Sequence, residues 1–217
     1  MKLFSFALAL LAVGARAQSP AAAPVIQVDF SNPALSPSQW TLVIGPDGSG
    51  HFRSQMGRPP DGQQQIDTPA VDRDVKVSPE YAARLFSAAT HHNWFHEGCE
   101  SHLKVAFQGW KTFTYTGPEG QGNCTFNYSK DKDMQSLGDS VLAVAETILE
   151  GARLEILLQH DRLGLDAEMD FLAEAASDGR AQQLCAIQDI LERLAQDDSV
   201  LDRVRKRARM LLSQATT

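Results

Sequence analysis

Apolar and polar positions alternate with a period of two through much of the N-terminal half and fall into a helical period beyond about residue 132. Trp40, Leu42 and Ile44 alternate with Thr41 and Val43, which predicts a strand. Gly45-Pro46-Asp47-Gly48-Ser49-Gly50 is turn chemistry, so His51 to Gln55 returns as the second arm of a hairpin. Val25 to Phe30 can add a short strand, and Val71 to Val77 a further one. Leu103 to Phe107 and Lys111 to Thr116 alternate again, with Gly109 as a bulge between them. Gly117 to Gly122 then turns the chain into a strand over Cys124 to Tyr128. Residues 56–70 are rich in Gly, Pro and Gln and predict a loop.

One helix interrupts the strands. Ser78 can cap it, Pro79 is preorganised for the first helical position, and Glu80 complements the positive end of the helix dipole. Ala82, Leu85, Phe86 and Ala89 share one face, and the helix should stop near His92 and Asn93. From about Asp133, Gly becomes sparse and Leu, Ala, Glu and Arg dominate. Leu137, Val141, Val144, Ala145 and Ile148 form one helical face. Leu165-Asp166, Ser177-Asp178-Gly179 and Asp197-Asp198-Ser199 mark helix boundaries, which gives three to five short helices. The order of elements predicts an α+β fold. A small antiparallel sheet with one packed helix occupies residues 39–131, and a helical region follows over 132–217. Residues 18–38 read as a linker with a short strand.

The first residues change what the rest has to do. Lys2, the apolar run Leu3 to Val13 and Ala15-Arg16-Ala17 have the layout of a secretory signal peptide over residues 1–17. Cleavage after Ala17 removes Lys2 and Arg16 and takes the net charge from −7 to −9. That acidity argues against nucleic-acid binding and against a polybasic membrane-surface protein. No later apolar run approaches the roughly 18 to 20 residues of a bilayer span. The expectation is a secreted or periplasmic protein with no transmembrane helix after cleavage.

Export places the three cysteines in an oxidising compartment. Cys185 lies in an amphipathic helical stretch, where a free thiol behaves as a small hydrophobe. Cys99 follows a glycine in a loop and Cys124 sits in a predicted strand. Their bridge is the favoured pairing, stabilising by on the order of 2–4 kcal/mol.

Candidate chemistry is sparse. His91, His92, His96 and His102 are four of the six histidines in the chain and surround Cys99. A tetrahedral metal site needs about four N, S or O ligands, so His92, His96 and His102 are candidate ligands for zinc or copper. The competing reading is a helix end whose imidazoles face its negative dipole terminus, followed by a polar loop. Gly138-Asp139-Ser140 resembles an esterase block, but it lies in a helical pattern without the strand-to-helix elbow that would expose the serine. Between Glu150 and Asp202 there are 13 acidic and 4 basic residues, read as a solvated acidic face. The basic stretch Arg203 to Arg209 is amphipathic and should dock on those acidic helices.

The run from Cys99 through Lys104, Phe107, Gly109, Lys111, Thr114, Tyr115 and Gly120 to Cys124 carries a likeness. It resembles a family of secreted bacterial α+β domains without an assigned activity, over roughly residues 39–150. Where that family has Phe-Gly, this chain has Phe107-Gln108-Gly109. The resemblance implies a small α+β domain and favours the Cys99–Cys124 bridge. Leu194 to Arg205, with Ala208, is similar to one helical unit of HEAT-type repeats. The expected function is that of an exported, non-catalytic envelope protein that acts through protein interaction with an unknown partner and needs no cofactor. The alternative is metal binding by the His91–His102 cluster.

Overall fold

A computed structural model describes residues 23–57 and 69–215. The expected export segment 1–17, the linker residues 18–22 and most of the loop expected over 56–70 lie outside the described residues. Six strands form one antiparallel sheet: β1 Val25–Ser31, β2 Gln39–Ile44, β3 Ser49–Ser54, β4 Val71–Lys76, β5 Trp110–Gly117 and β6 Gly120–Phe126. Their order is β4-β3-β2-β1-β5-β6. Together with the helices this is the expected α+β fold with a C-terminal helical segment.

Alternation gives the sheet two unlike faces. Ile26, Val28, Phe30, Trp40, Leu42, Ile44, Phe52, Phe113, Tyr115, Cys124 and Phe126 are buried on the inner face. The outer face is a polar ladder on which Asp29 accepts from Thr41 at 2.6 Å and from Gln27 at 2.8 Å. Further along, Thr112 and Thr125 share a hydrogen bond of 2.9 Å. His51 lies between Asp74 at 2.9 Å and Asp72 at 2.8 Å.

Two sequence-based expectations change here. β1 is central in the sheet, paired with β2 on one side and β5 on the other. The sheet therefore begins within the stretch read as linker and short strand, not at residue 39. Leu103 to Phe107 belongs to no strand, because alternation makes a strand only where a neighbour offers a ladder.

The helices are α1 Pro79–His91, α2 Lys132–His160, α3 Leu165–Ser177, α4 Gln188–Gln196 and α5 Asp202–Ala215. Ser78 caps α1, its Oγ accepting from the Tyr81 N–H at 3.1 Å. Asp131 caps α2 by accepting from the N–H groups of Asp133 and Met134. α2 is one helix of 29 residues rather than several short ones. Gly138 seats its first half, since a Cβ there would stand 3.0 Å from Phe126 and 3.1 Å from Lys111. The glycine of the esterase-like block is thus a packing residue. α2 also joins two apolar cores. Met134 to Ala152 pack with α1 on the sheet, while Leu154, Leu157 and Leu158 pack with α3, α4 and α5. The basic helix α5 docks on α3 as its charge pattern anticipates: Arg203 and Arg207 reach Asp166 at 2.5 and 2.8 Å, and Arg207 also pairs with Asp170.

Candidate functional site

The chemistry-bearing residues gather around the end of α1. Beyond His91 the backbone enters a left-handed turn at Asn93, Trp94 and Phe95, with φ of 49, 56 and 63°. Such a run of L residues is costly, and burial holds it. Phe95 is fully buried beside Phe113 at 5.6 Å, and the Trp94 ring lies 4.4 Å from Tyr115. Gly122 makes room for the turn, because a Cβ there would collide with the Trp94 carbonyl oxygen. Immediately afterwards the expected Cys99–Cys124 disulfide joins this loop to β6, with Cα atoms 5.9 Å apart.

Within this brace the histidines diverge. The His91 and His92 rings meet edge-on, 5.5 Å apart. His92 Nε2 is buried without a hydrogen bond and lies 3.9 Å from Asp131. His96 is exposed and packs beside Gly122. His102 is exposed on the loop, its N–H donating to Glu100 at 3.0 Å. Cys99 is committed to the disulfide. Among the described residues no three His, Cys, Asp or Glu side chains are grouped to hold a metal ion, so the turn does not bring His92, His96 and His102 to one point.

The turn and bridge also present an apolar strip. Leu103, Val105, Phe107 and Trp110 are 50, 44, 48 and 44% exposed. Phe107 and Trp110 pack edge-on with ring centroids 5.8 Å apart. The strip is tied down from beneath. Asn127 accepts from the Gln108 N–H at 2.7 Å and donates to the Ala106 carbonyl at 3.1 Å. Glu100 accepts from the Asn127 N–H at 2.6 Å. Partial burial opposes ionisation of Glu100, but the N–H groups of Asn127 and His102 outweigh it and hold the carboxyl below its usual range.

A groove of about 360 Å³ runs between α1 and α2, lined by Tyr81, Arg84, Ser87, His91, His92, Asp133, Ser136, Leu137 and Ser140 among others. Tyr81 is 1% exposed and its hydroxyl has no hydrogen-bond partner. Burial pushes that hydroxyl up to about 12, with Ser140 close enough to temper the rise. The Ser140 hydroxyl instead donates to Gln182 at 2.9 Å. Ser140 therefore sits inside a helix and bonds an amide, with no base accepting its proton.

Sequence reasoning missed two further groups. Lys111 is buried at 1% exposure, donating to the Asn127 carbonyl at 2.9 Å; burial pulls it below its usual range. Glu150 is 6% exposed on α2, within the stretch read as a solvated acidic face. Arg153 donates to both Glu150, at 3.1 Å, and Glu168 of α3, at 2.8 Å. Helical spacing was the available signal, since Glu146, Glu150 and Arg153 recur at i, i+4 and i+7 beside buried leucines. No protein-family model matches the chain, and no curated protein matches it.

Proposed function

We propose that this is an exported, non-catalytic protein that acts in the bacterial cell envelope by binding a partner protein through the strip Leu103, Val105, Phe107 and Trp110. The carrying observation is the exposure of four large apolar side chains on a segment anchored by a disulfide and by Asn127. Within the strip Phe107 and Trp110 are in contact; exposed apolar patches recur at protein interaction sites, and aromatic side chains dominate their energetics. The matching partner surface is apolar and lined to receive Phe107 and Trp110. Export is supported by the Lys2, Leu3–Val13 and Ala15-Arg16-Ala17 pattern, and a disulfide suits an oxidising compartment. Among the described residues no helix is long and apolar enough to cross a membrane. A non-catalytic role is favoured by the bonding of Ser140 to Gln182 and by Cys185, whose thiol burial pushes up and away from the reactive thiolate.

Two measurements test the reading. Expression of the full chain in a bacterial host, followed by fractionation and intact-mass analysis, should yield a periplasmic or secreted product beginning at Gln18. Retention in the cytosol with Met1 intact would refute export. A photo-crosslinker placed at Leu103 should then give one discrete adduct in the native envelope, lost on Phe107→Ser. A strip that forms no discrete adduct, or one indifferent to Phe107→Ser, defeats the interaction surface.

A further inference from the structure

The α1–α2 groove combines features that its own packing does not explain. Arg84 is the only arginine among the described residues with neither an ion pair nor a hydrogen bond; its guanidinium lies 5.2 Å from the centroid of the Tyr81 ring. Other arginines on the helices, such as Arg153 and Arg207, are engaged by carboxylates. The Tyr81 hydroxyl is buried without a hydrogen-bond partner, and Tyr81 and Ser140 both line the groove. Leaving such a hydroxyl unsatisfied is destabilising, and a bound acceptor would relieve it. Ser87 and Ser136 add hydroxyl donors to the same walls, and Ala88 and Leu137 supply apolar contact.

Among the described residues, neither the Arg84 guanidinium nor the Tyr81 hydroxyl has an acceptor. We propose that the groove is a binding site for a small organic molecule bearing an oxyanion, a carboxylate or a phosphate. Arg84 donates to the anion from one wall, Tyr81 Oη donates from the floor, and the serines complete the cradle. A guanidinium is suited to this because its planar N–H fork matches two oxygens at once. Asp133, the carboxylate of the groove, stands about two helical turns along α2 from Ser140, roughly 10 Å away. It disfavours a ligand with negative charge at both ends. His91 and His92 flank that same end.

The test uses the full mature chain and follows backbone amide NMR shifts during titration with acetate and, separately, inorganic phosphate. Saturable shifts confined to α1 and the first half of α2 are expected with at least one anion, and the tighter of the two distinguishes carboxylate from phosphate chemistry. Arg84→Met should weaken that binding by about tenfold or more. Tyr81→Phe, which keeps the buried ring, should weaken it severalfold, and Arg53→Met on the outer sheet face should leave it unchanged. The proposal is overturned if neither anion saturates at millimolar concentration. It is equally overturned if binding survives Arg84→Met, or if Arg53→Met weakens it as much.

Discussion

Replacing Glu150 by glutamine should flatten the pH dependence of stability. Glu150 faces Glu146 and Arg153 on its own helix and Glu168 on α3. Burial pushes Glu150 up from 4.5 to about 9, and Glu168 adds to the rise by taking a hydrogen bond from its protonated form. Glu168 moves the other way: burial resists its ionisation, but the bonds from Glu150 and Arg153 hold it below its usual range. The chemical picture is one proton held on Glu150 toward the Glu168 carboxylate, while Arg153 bonds both groups.

Between the unfolded and folded values the folded chain keeps a proton that the unfolded chain has released. Stability from Glu150 is therefore fully present below about pH 4.5 and is lost as pH rises toward about 9. One such proton corresponds to a loss on the order of 4 kcal/mol from about pH 5 to about pH 8. Glu146, also raised by burial, contributes with the same sign. Glutamine reproduces the protonated acid, with an N–H for Glu168 and a carbonyl for Arg153. Urea unfolding followed by far-UV circular dichroism, at a series of pH values, compares the two proteins. At about pH 5 the Glu150→Gln chain should lie within about 1 kcal/mol of wild type, and it should become the more stable of the two as pH rises. Parallel curves, or a Glu150→Gln chain strongly destabilised at pH 5, would refute a protonated Glu150.

Three other changes report on the brace around the candidate site. Cys99→Ser should cost about 2–4 kcal/mol in chemical unfolding, and intact-mass analysis of wild type should show one alkylatable thiol before reduction, that of Cys185. Gly122→Ala drives a methyl into the Trp94 carbonyl and should destabilise by about 1–3 kcal/mol through the left-handed turn, with near-UV circular dichroism losing the Trp94–Tyr115 signal. Phe107→Ser should leave the unfolding midpoint within about 0.5 kcal/mol of wild type while lowering retention on a hydrophobic-interaction column. A large loss of stability there would show that the strip is core rather than surface.

What the sequence conveyed and what it hid divide along a physical line. The hairpin of β2 and β3, the cap at Ser78, the stops after Ser177 and before Asp202, and the docking of Arg203 and Arg207 rest on neighbours in the chain or on bulk charge. Those were legible. The place of β1 between β2 and β5 rests on Val28 facing Phe113 across more than half of the sheet domain, and no local period encodes a distant partner. Leu103 to Phe107 carries the same alternation as β5, yet Gly109 at φ 112° turns the chain away from the ladder.

The same distinction explains why the groove could not be read in advance. Tyr81 resembles any core aromatic, and Arg84 any solvated cation three residues on. They become a site only because Gly138 lets α2 settle against Phe126 and Lys111, which brings Ser136 and Ser140 opposite α1. The esterase-like Gly138-Asp139-Ser140 block thus matters to the site, though by a different route from the one its letters suggest. Its glycine sets the distance between two helices, and its serine forms a wall. A Gly138→Leu change separates the two ideas, since it leaves Ser140 chemically intact while pushing α2 off the sheet. Loss of anion binding together with a lowered unfolding midpoint is expected, and preserved binding would mean that the groove does not depend on how closely α2 is seated.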